Sequence, residues 1–569
     1  MNLLNCKKKT QILILAISII FLASCSNKPE GVKVIPKDVG LVSVIDMYAL
    51  YKKGNLKELE ELSFMRTLKK EVRNEDKRIA KFIDKLVEDP RTTGVDFTKD
   101  LYMFYVDQAS DEQYFCMSLD VANQDKFAEF IEELLEKSKL EYNLEKEELY
   151  KYIILEKEVA IAWDNGKAVL LIAKNRASRK NLDLQLETLF ELKETNQLTG
   201  NKEFANFYKK KKDVSLWFST NMLVDMPEFK SLKKDFGYRL SDNYVTAHLN
   251  FDDEKIKLNT EVFLNEEMTE QMNKYNIWNN NFNAKILNYL PKESLANTSV
   301  AVNPSSYYSL LKSEENLEGF ESSFKSAASF DLEDFVASFK GSLIFSLIDF
   351  REVEHTYKDY VRVYNKKKTK RFNSWSGKSY YQGGYEYKDS LKTKTINLPI
   401  FGMALDINTD KYVKALVDKI PESNLQKRDG YYEVKIIDSY KGYMAFNKDV
   451  FVFTNDKKSI KTFNEGGLRN ESLANSDKAS NFNNSGYYTF MNLDYNEYSE
   501  EVKKEIEKMQ DSKEREMFKI WSDFTKSMEM RMIDQNSAEF VLTTKSGDKN
   551  SLNALIELLD TSFKNFSSI

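Results

Sequence analysis

The chain has 569 residues, 42% of them hydrophobic and 30% charged, with a formal net charge of −5 at pH 7. Its length exceeds what one hydrophobic core usually serves, and its composition is that of a folded body, which excludes a fibrous or disordered chain. The slight negative balance excludes a general affinity for nucleic acid.

The N-terminus stands apart. Lys7, Lys8 and Lys9 precede an uncharged run over 11–24, rich in Ile and Leu, that ends in Leu22-Ala23-Ser24-Cys25. A basic start and a short apolar stretch read as a secretory signal, since a spanning helix needs roughly 20 apolar residues. The stretch 22–25 resembles the lipobox of bacterial lipoproteins. That resemblance implies a signal peptide over 1–24, acylation at Cys25, and a short tether over 25–34 holding the body close to a membrane. Cys6 then leaves with the signal and Cys25 carries lipid, so Cys116 is the remaining thiol and no internal disulfide is expected.

Along the body, strand-like runs fall at 39–47, 101–106 and 114–119, where Cys116 is expected as a buried small residue. Phe127, Phe130, Ile131, Leu134 and Leu135 follow at helical spacing. Strands are expected at 150–155, 159–163 and 169–173, with Asp164-Asn165-Gly166 as a hairpin turn, and again at 214–218, 245–251 and 255–264. Lys209 to Lys212 form a basic run expected as a solvated loop, and His248 is expected as a hydrogen-bonded strand histidine. Hairpins around helices mean antiparallel α+β.

The chain also repeats itself. "FCMSLDVANQDKF" at 115–127 reappears as "FGMALDINTDKY" at 401–412, which aligns Asp120 with Asp406. "IPKD" at 35 matches "LPKE" at 290, "LYMF" at 101 matches "SLIF" at 342, and "LTGNKEFANF" at 198 matches "LANSDKASNF" at 473. Asp252-Asp253-Glu254 falls where Asp534-Gln535-Asn536 recurs. Collinear matches at so long a period indicate two tandem duplicated domains of antiparallel sheet with packed helices, at 35–283 and 284–569. The boundary is expected in the Asn-rich stretch 276–283. In the repeated phrase, Asn123 and Asn408 are expected as N-caps, with Asp125 and Asp410 in the first helical turns.

The copies differ most between the strands around "SLIF" and "FGMALD". The first copy crosses there with a short loop over 107–113, whereas the second inserts 351–397. That insert carries twelve Lys and Arg against five Asp and Glu, with nine aromatics interleaved. Residues 361–364 alternate like a hairpin arm, and Gly383-Gly384 is expected as its bend. Aromatic faces beside cations suit acidic or sugar-bearing partners, so Lys366, Lys367, Lys368, Arg371, Trp375, Tyr380, Tyr381 and Tyr385 are the candidate binding residues. Further on, 500–524 reads as one amphipathic helix.

Against this background, chemistry-bearing motifs are scarce. Two histidines, His248 and His355, have no nucleophile arrangement around them, and no HExxH, paired CxxC, Walker loop or GxGxxG occurs. No catalytic residue, metal ligand or cofactor is therefore assigned. Carboxylate-based hydrolysis of envelope or glycan polymers leaves no sequence signature and stays open as an alternative, as does an envelope assembly or chaperone role.

The lipobox, "IPKDVGLVSVIDMYALYKKGNL", "GVDFTKDLYMFYV" and "MSLDVANQDKFAEFIEEL" together resemble bacterial lipoproteins grouped as domain-of-unknown-function family 4836. The resemblance implies an envelope lipoprotein, most simply of the outer membrane, and brings no catalytic residues. The expectation is a non-enzymatic binding or scaffold protein, held to the membrane through acyl chains on Cys25. Its partner would be acidic or glycan-bearing, with oligomeric state left open.

Overall fold

Near-continuous apolar runs such as Val159–Trp163 and Lys167–Ala173 are buried along almost their whole length, which requires cover on both faces of the sheet there. The computed structural model describes residues 29–55, 61–75, 90–107, 113–155, 158–173, 179–224, 240–279, 281–314, 317–437, 440–508 and 511–566. The signal-like stretch and Cys25 lie outside them. The fold is α+β.

The first half carries β1 (Leu41–Asp46), β2 (Asp100–Asp107), β3 (Gln113–Asp120), β4 (Leu144–Lys146), β5 (Lys151–Leu155), β6 (Val159–Trp163), β7 (Lys167–Ala173), β8 (Val214–Ser219), β9 (Tyr244–Asp252) and β10 (Lys255–Phe263). They pair antiparallel in the order β4-β5-β6-β7-β3-β2-β1-β8-β9-β10. The second half carries β11 (Ala296–Ala301), β12 (Phe339–Asn373), β13 (Lys378–Ile407), β14 (Leu425–Lys427), β15 (Tyr432–Ile437), β16 (Tyr440–Phe446), β17 (Val450–Thr454), β18 (Tyr487–Asn492), β19 (Thr525–Asp534) and β20 (Ser537–Thr544). Their order is β14-β15-β16-β17-β13-β12-β11-β18-β19-β20, the same pattern strand for strand.

The halves join edge to edge through β10 and β20, antiparallel, with Leu258 opposite Phe540 at the centre of a register running from Lys255↔Thr543 to Glu261↔Ser537. One continuous antiparallel sheet results. The terminal helix of each half then reaches across. Helix Ser551–Phe566 packs over the first half, where Asp560 accepts from Phe64 N and Ser551 Oγ donates to Lys255 O. Helix Glu266–Tyr275 reciprocates, with Tyr275 and Ser313 sharing a hydroxyl hydrogen bond of 3.0 Å. Phe251, Ile256, Phe524, Ala554 and Leu558 form a small core at this junction.

In the first half, helix Gln124–Ser138 buries Phe127, Phe130, Ile131, Leu134 and Leu135 against one sheet face. Helices Arg179–Phe190 and Lys202–Lys209 cover the other, over Tyr102, Phe104, Cys116 and Trp217. Cys116 is fully buried, and burial pushes its thiol far above its ordinary pKa, so it packs as an inert small residue. His248 is buried too, sharing Nδ1 with Ser215 Oγ at 3.0 Å and stacking on Phe207, and burial lowers its pKa.

Four local expectations need correction. Asn123 does cap its helix, accepting from Lys126 N at 2.9 Å, but Asn408 does not. Its amide donates to Ala337 O and the helix starts later, at Lys411–Val417, so Asp410 is the N-cap residue and pairs with Lys414 instead of lying in the first turn. The 500–524 segment is two helices, Glu500–Glu507 and Ser512–Phe524, because Asp511 caps a fresh start by accepting from Lys513 N. The basic run 209–212 is a solvated loop only in part: Lys209 ends a helix, Lys210 and Lys212 are exposed, and Lys211 is drawn inward. Lys211 lies beside Asp100 at 2.8 Å and Asp46 at 3.3 Å, and Lys210 pairs with Glu261. Burial alone would lower the Lys211 pKa, but those two carboxylates outweigh it and the pKa is raised. Lastly, Gly383-Gly384 is not the bend, as the next section describes.

Candidate functional site

The inserted segment is neither loop nor compact subdomain. It is the outward continuation of β12 and β13, which pair with each other from Phe350↔Pro399 to Asn373↔Lys378. At about 3.3 Å per residue the 22 residues of 378–399 make a ribbon roughly 70 Å long. Within the body β12 also pairs with β11 and β13 with β17, but those ladders end at Leu347 and Gly402. Beyond them each strand has the other as its described ladder partner. Thr, Val, Tyr and Ile residues supply the strand preference, and the arms are held in register by cross-strand pairs. Thr356 and Thr393 share a hydroxyl hydrogen bond of 3.1 Å, Asp359 pairs with Lys392, and Lys394 sits 5.1 Å from the Tyr357 ring centre.

The root is fixed to the body. An extra residue, Ile348, bulges between Leu347 and Asp349, and Pro399, lacking an N–H, lies opposite Phe350, where the ribbon leaves the sheet. Helix Glu500–Glu507 buttresses it: Lys504 pairs with Glu352 at 2.9 Å and Asn397 Nδ2 donates to Glu501 O at 2.7 Å. Arg351 Nη2 donates to Asn455 O from the other side.

The tip is a turn over 374–377. Asn373 Oδ1 accepts from Trp375 N at 2.9 Å and Ser376 N at 3.3 Å, an Asx turn, and Gly377 closes it at φ +64°. Gly383 and Gly384 sit mid-arm, opposite a two-residue bulge formed by Lys366 and Lys367. Two adjacent residues without Cβ opposite a bulge give the strand room to twist, which is a different use from the expected bend.

Register sorts the remaining candidates, although the side chains of 364–370 and 380–386 lie outside the described ones. Lys368 is opposite Gly383, Lys370 opposite Tyr381, Tyr364 opposite Tyr385, Arg362 opposite Tyr387 and Tyr360 opposite Asp389. With Phe372 opposite Ser379, these positions alternate onto one face of the ribbon. Arg371 and Tyr380 oppose each other on the other face. Sequence reading singled out Lys368, Tyr381 and Tyr385 but passed over Tyr360 and Phe372; period-two spacing on two strands in register is the signal that finds them.

Exposure is extreme. Trp375 is 100% exposed, Leu391 72%, Tyr387 68% and Phe372 and Tyr360 67% each. Charge is also uneven along the length. Residues 361–388 hold eight Lys and Arg against one acid, Glu386, whereas 351–360 and 389–397 together hold four of each sign. The excess of +7 therefore lies in the distal part.

The carboxylates at other candidate sites in the body have internal partners, although buried atoms such as His248 Nε2 and Asn259 Oδ1 find no hydrogen bond among the described residues. Asp120 is buried and accepts from Glu30 N at 2.8 Å and Gly31 N at 2.7 Å; burial pushes its pKa up to about 6 against the pull of those two donors. Its counterpart in the ladder, Asp406, lies 3.3 Å from Lys340 Nζ. A crevice of about 360 Å³ contains Glu557 and Asp560, each already paired, with Lys549 and Lys564. A second crevice of about 510 Å³ is lined by Trp278, Lys340 and several amides, among them Asn279, Asn303 and Asn408. Among the described residues no helix is long and apolar enough to cross a membrane, and no cluster of three or more His, Cys, Asp or Glu is positioned for a metal.

The family described as "Domain of unknown function (DUF4836)" matches this chain over residues 32–552. The chain belongs to that family. The match runs through both halves and the ribbon. No curated protein matches. A solved structure titled "Structure of crystal form I of TP0453" is similar over 44% of this chain and 86% of its own, at 10% identity and a TM-score of 0.24, too distant to bear on fold or function.

Proposed function

We propose that this member of the family is a non-enzymatic, lipid-anchored protein of the cell envelope, built from two copies of one α+β unit, that presents a binding ribbon for an acidic or sugar-bearing partner. The ribbon carries the reading. A ladder of exposed aromatics interleaved with cations gains nothing for the fold it extends from, because large apolar side chains held in water contribute no burial. Recognition of an acidic partner gives both residue types a role. The duplication is supported by the matching strand order of the halves and by the collinear order of the repeated phrases, whose offsets drift as insertions and deletions accumulate. Lipid anchoring rests on Leu22-Ala23-Ser24-Cys25 and places the protein at the envelope, most simply the outer membrane.

Two measurements test this. A fatty-acid probe should label the wild-type chain in its native host and fail to label Cys25→Ala; label on the variant ends the anchor. Replacing 351–397 by the short connection of the first half should leave the thermal midpoint nearly unchanged while abolishing crosslinking to envelope components. Unchanged crosslinking removes the ribbon from the function.

A further inference from the structure

The distal ribbon separates its two chemistries along its length. At the outermost turn stands Trp375, wholly exposed, with Phe372 beside it on the arm. Behind them come Arg371 and Lys378, then Lys370 and the 366–368 run on one arm and Lys388 on the other. An aromatic apex behind which cations gather is the order in which a bilayer is layered: indole and phenyl rings settle at the headgroup level, and ammonium and guanidinium groups lie where phosphates are densest. Each basic group is attracted only within a Debye length, about 8 Å, of an anionic surface; at about 3.3 Å per residue that takes in Arg371 and Lys378 beside the turn, with no acid between them. The near-neutral proximal part, with acids and bases paired as Asp359–Lys392 and Lys358–Asp389, has no such preference.

We infer that the acidic partner of the ribbon is an anionic phospholipid surface, engaged end-on, with Trp375 and Phe372 inserted at the headgroup level and the basic collar around them against the phosphates. This rests on the reading of the ribbon as a binding element and specifies its partner. An extended acidic polymer lying along the Tyr360–Phe372 face is the rival occupant; it would use the mid-arm residues and leave Trp375 in water.

The test uses the full chain in vesicles. Wild type and Trp375→Phe are compared in phosphatidylcholine vesicles with and without phosphatidylglycerol, in each case with brominated acyl chains as a contact quencher of indole emission. Phe at a fully exposed turn position leaves the fold intact, so the difference between the two proteins reports position 375. The expected result is extra quenching of the wild type in the phosphatidylglycerol vesicles, lost in Trp375→Phe and reduced when Arg371 and Lys378 are both replaced by Ser. Equal quenching of wild type and Trp375→Phe in those vesicles overturns the inference. So does an equal difference in both compositions, since the basic collar would then have no part. If the quenching difference is absent but the ribbon-shortened chain still loses its envelope crosslinks, the binding ribbon stands and the lipid assignment falls. If neither assay responds, both fall together.

Discussion

Two antiparallel ladders in this protein have opposite fates. The β10–β20 ladder at the junction of the halves and the β12–β13 ribbon are each made of paired strands with alternating side chains, and the ribbon's Gly383-Gly384 pair and Pro399 do not interrupt its ladder. The junction is roofed by helix Ser551–Phe566 and lies mid-sheet, with Phe251, Ile256 and Leu558 buried. Among the described residues no helix roofs the ribbon beyond its root, and Trp375 and Tyr360 face water. Backbone pairing is therefore not what separates a structural ladder from a displayed one. What separates them is whether a helix arrives to bury the apolar face, since burial supplies most of the stabilisation and a two-stranded hairpin alone is marginal.

That difference sets how each should respond to perturbation. The largest effect belongs to the junction. Residues 29–283 made without the rest would expose the β10 edge and lose the helix that covers it, so this piece should aggregate or fail to fold alone. Co-expression with 284–569 should restore a soluble complex. Sedimentation and circular dichroism decide the matter, and a monomeric, cooperatively melting 29–283 would show that the halves are independent domains.

Single substitutions sharpen the same contrast. Phe251→Ala at the junction should destabilise by about 3–5 kcal/mol, because the cavity cannot refill between sheet and helix. Tyr360→Ser on the ribbon should stay within about 0.5 kcal/mol. Denaturant titration of both variants gives the comparison, and similar losses would mean the ribbon packs against something in solution.

A further effect, graded and confined to acid pH, is a pH slope in the body. Asp120 has its pKa raised from 3.8 to about 6, so between those values the folded chain holds a proton that the unfolded chain has released. Its contribution to stability is therefore fully present below pH 3.8 and lost as pH rises through 6. Asp120→Asn should flatten that part of the melting profile relative to wild type, while Trp375→Phe leaves it untouched. Parallel profiles for wild type and Asp120→Asn would show that Glu30 and Gly31 hold the carboxylate charged throughout.

Much of this was legible in the residues. Strands β2, β3, β6, β9 and β10 and the helix through Phe127 follow from apolar runs, alternation and helical spacing. The turn falls at Asp164-Asn165-Gly166 as expected, although it is held by the Asp164 side chain accepting from Gly166 N and Lys167 N and not by positive φ at Asn165 or Gly166. The repeated phrases identified the ladder positions of Asp120 and Asp406, and charge counting identified 351–397 as the part of the chain that departs from its counterpart. Local rules failed where two options were nearly equal. Gly383-Gly384 can bend or can sit across from a bulge, and the choice was made by the Asx turn at Asn373, which sets the register of the whole ribbon. Asn408 and Asp410 can each begin a helix, and the Ala337 carbonyl claimed Asn408.

By itself, then, the sequence determined the α+β class, the element types and the location of the basic aromatic segment, because propensity, spacing and charge are properties of neighbours in the chain. The tertiary structure decided what those neighbours cannot encode: that β10 meets β20, that each half's last helix crosses to the other, that Lys211 is drawn into Asp100 and Asp46, and that the insert is one straight-run ribbon with its aromatics sorted onto a face. Each depends on residues far apart in sequence whose pairing is selected by burial and register over the whole sheet.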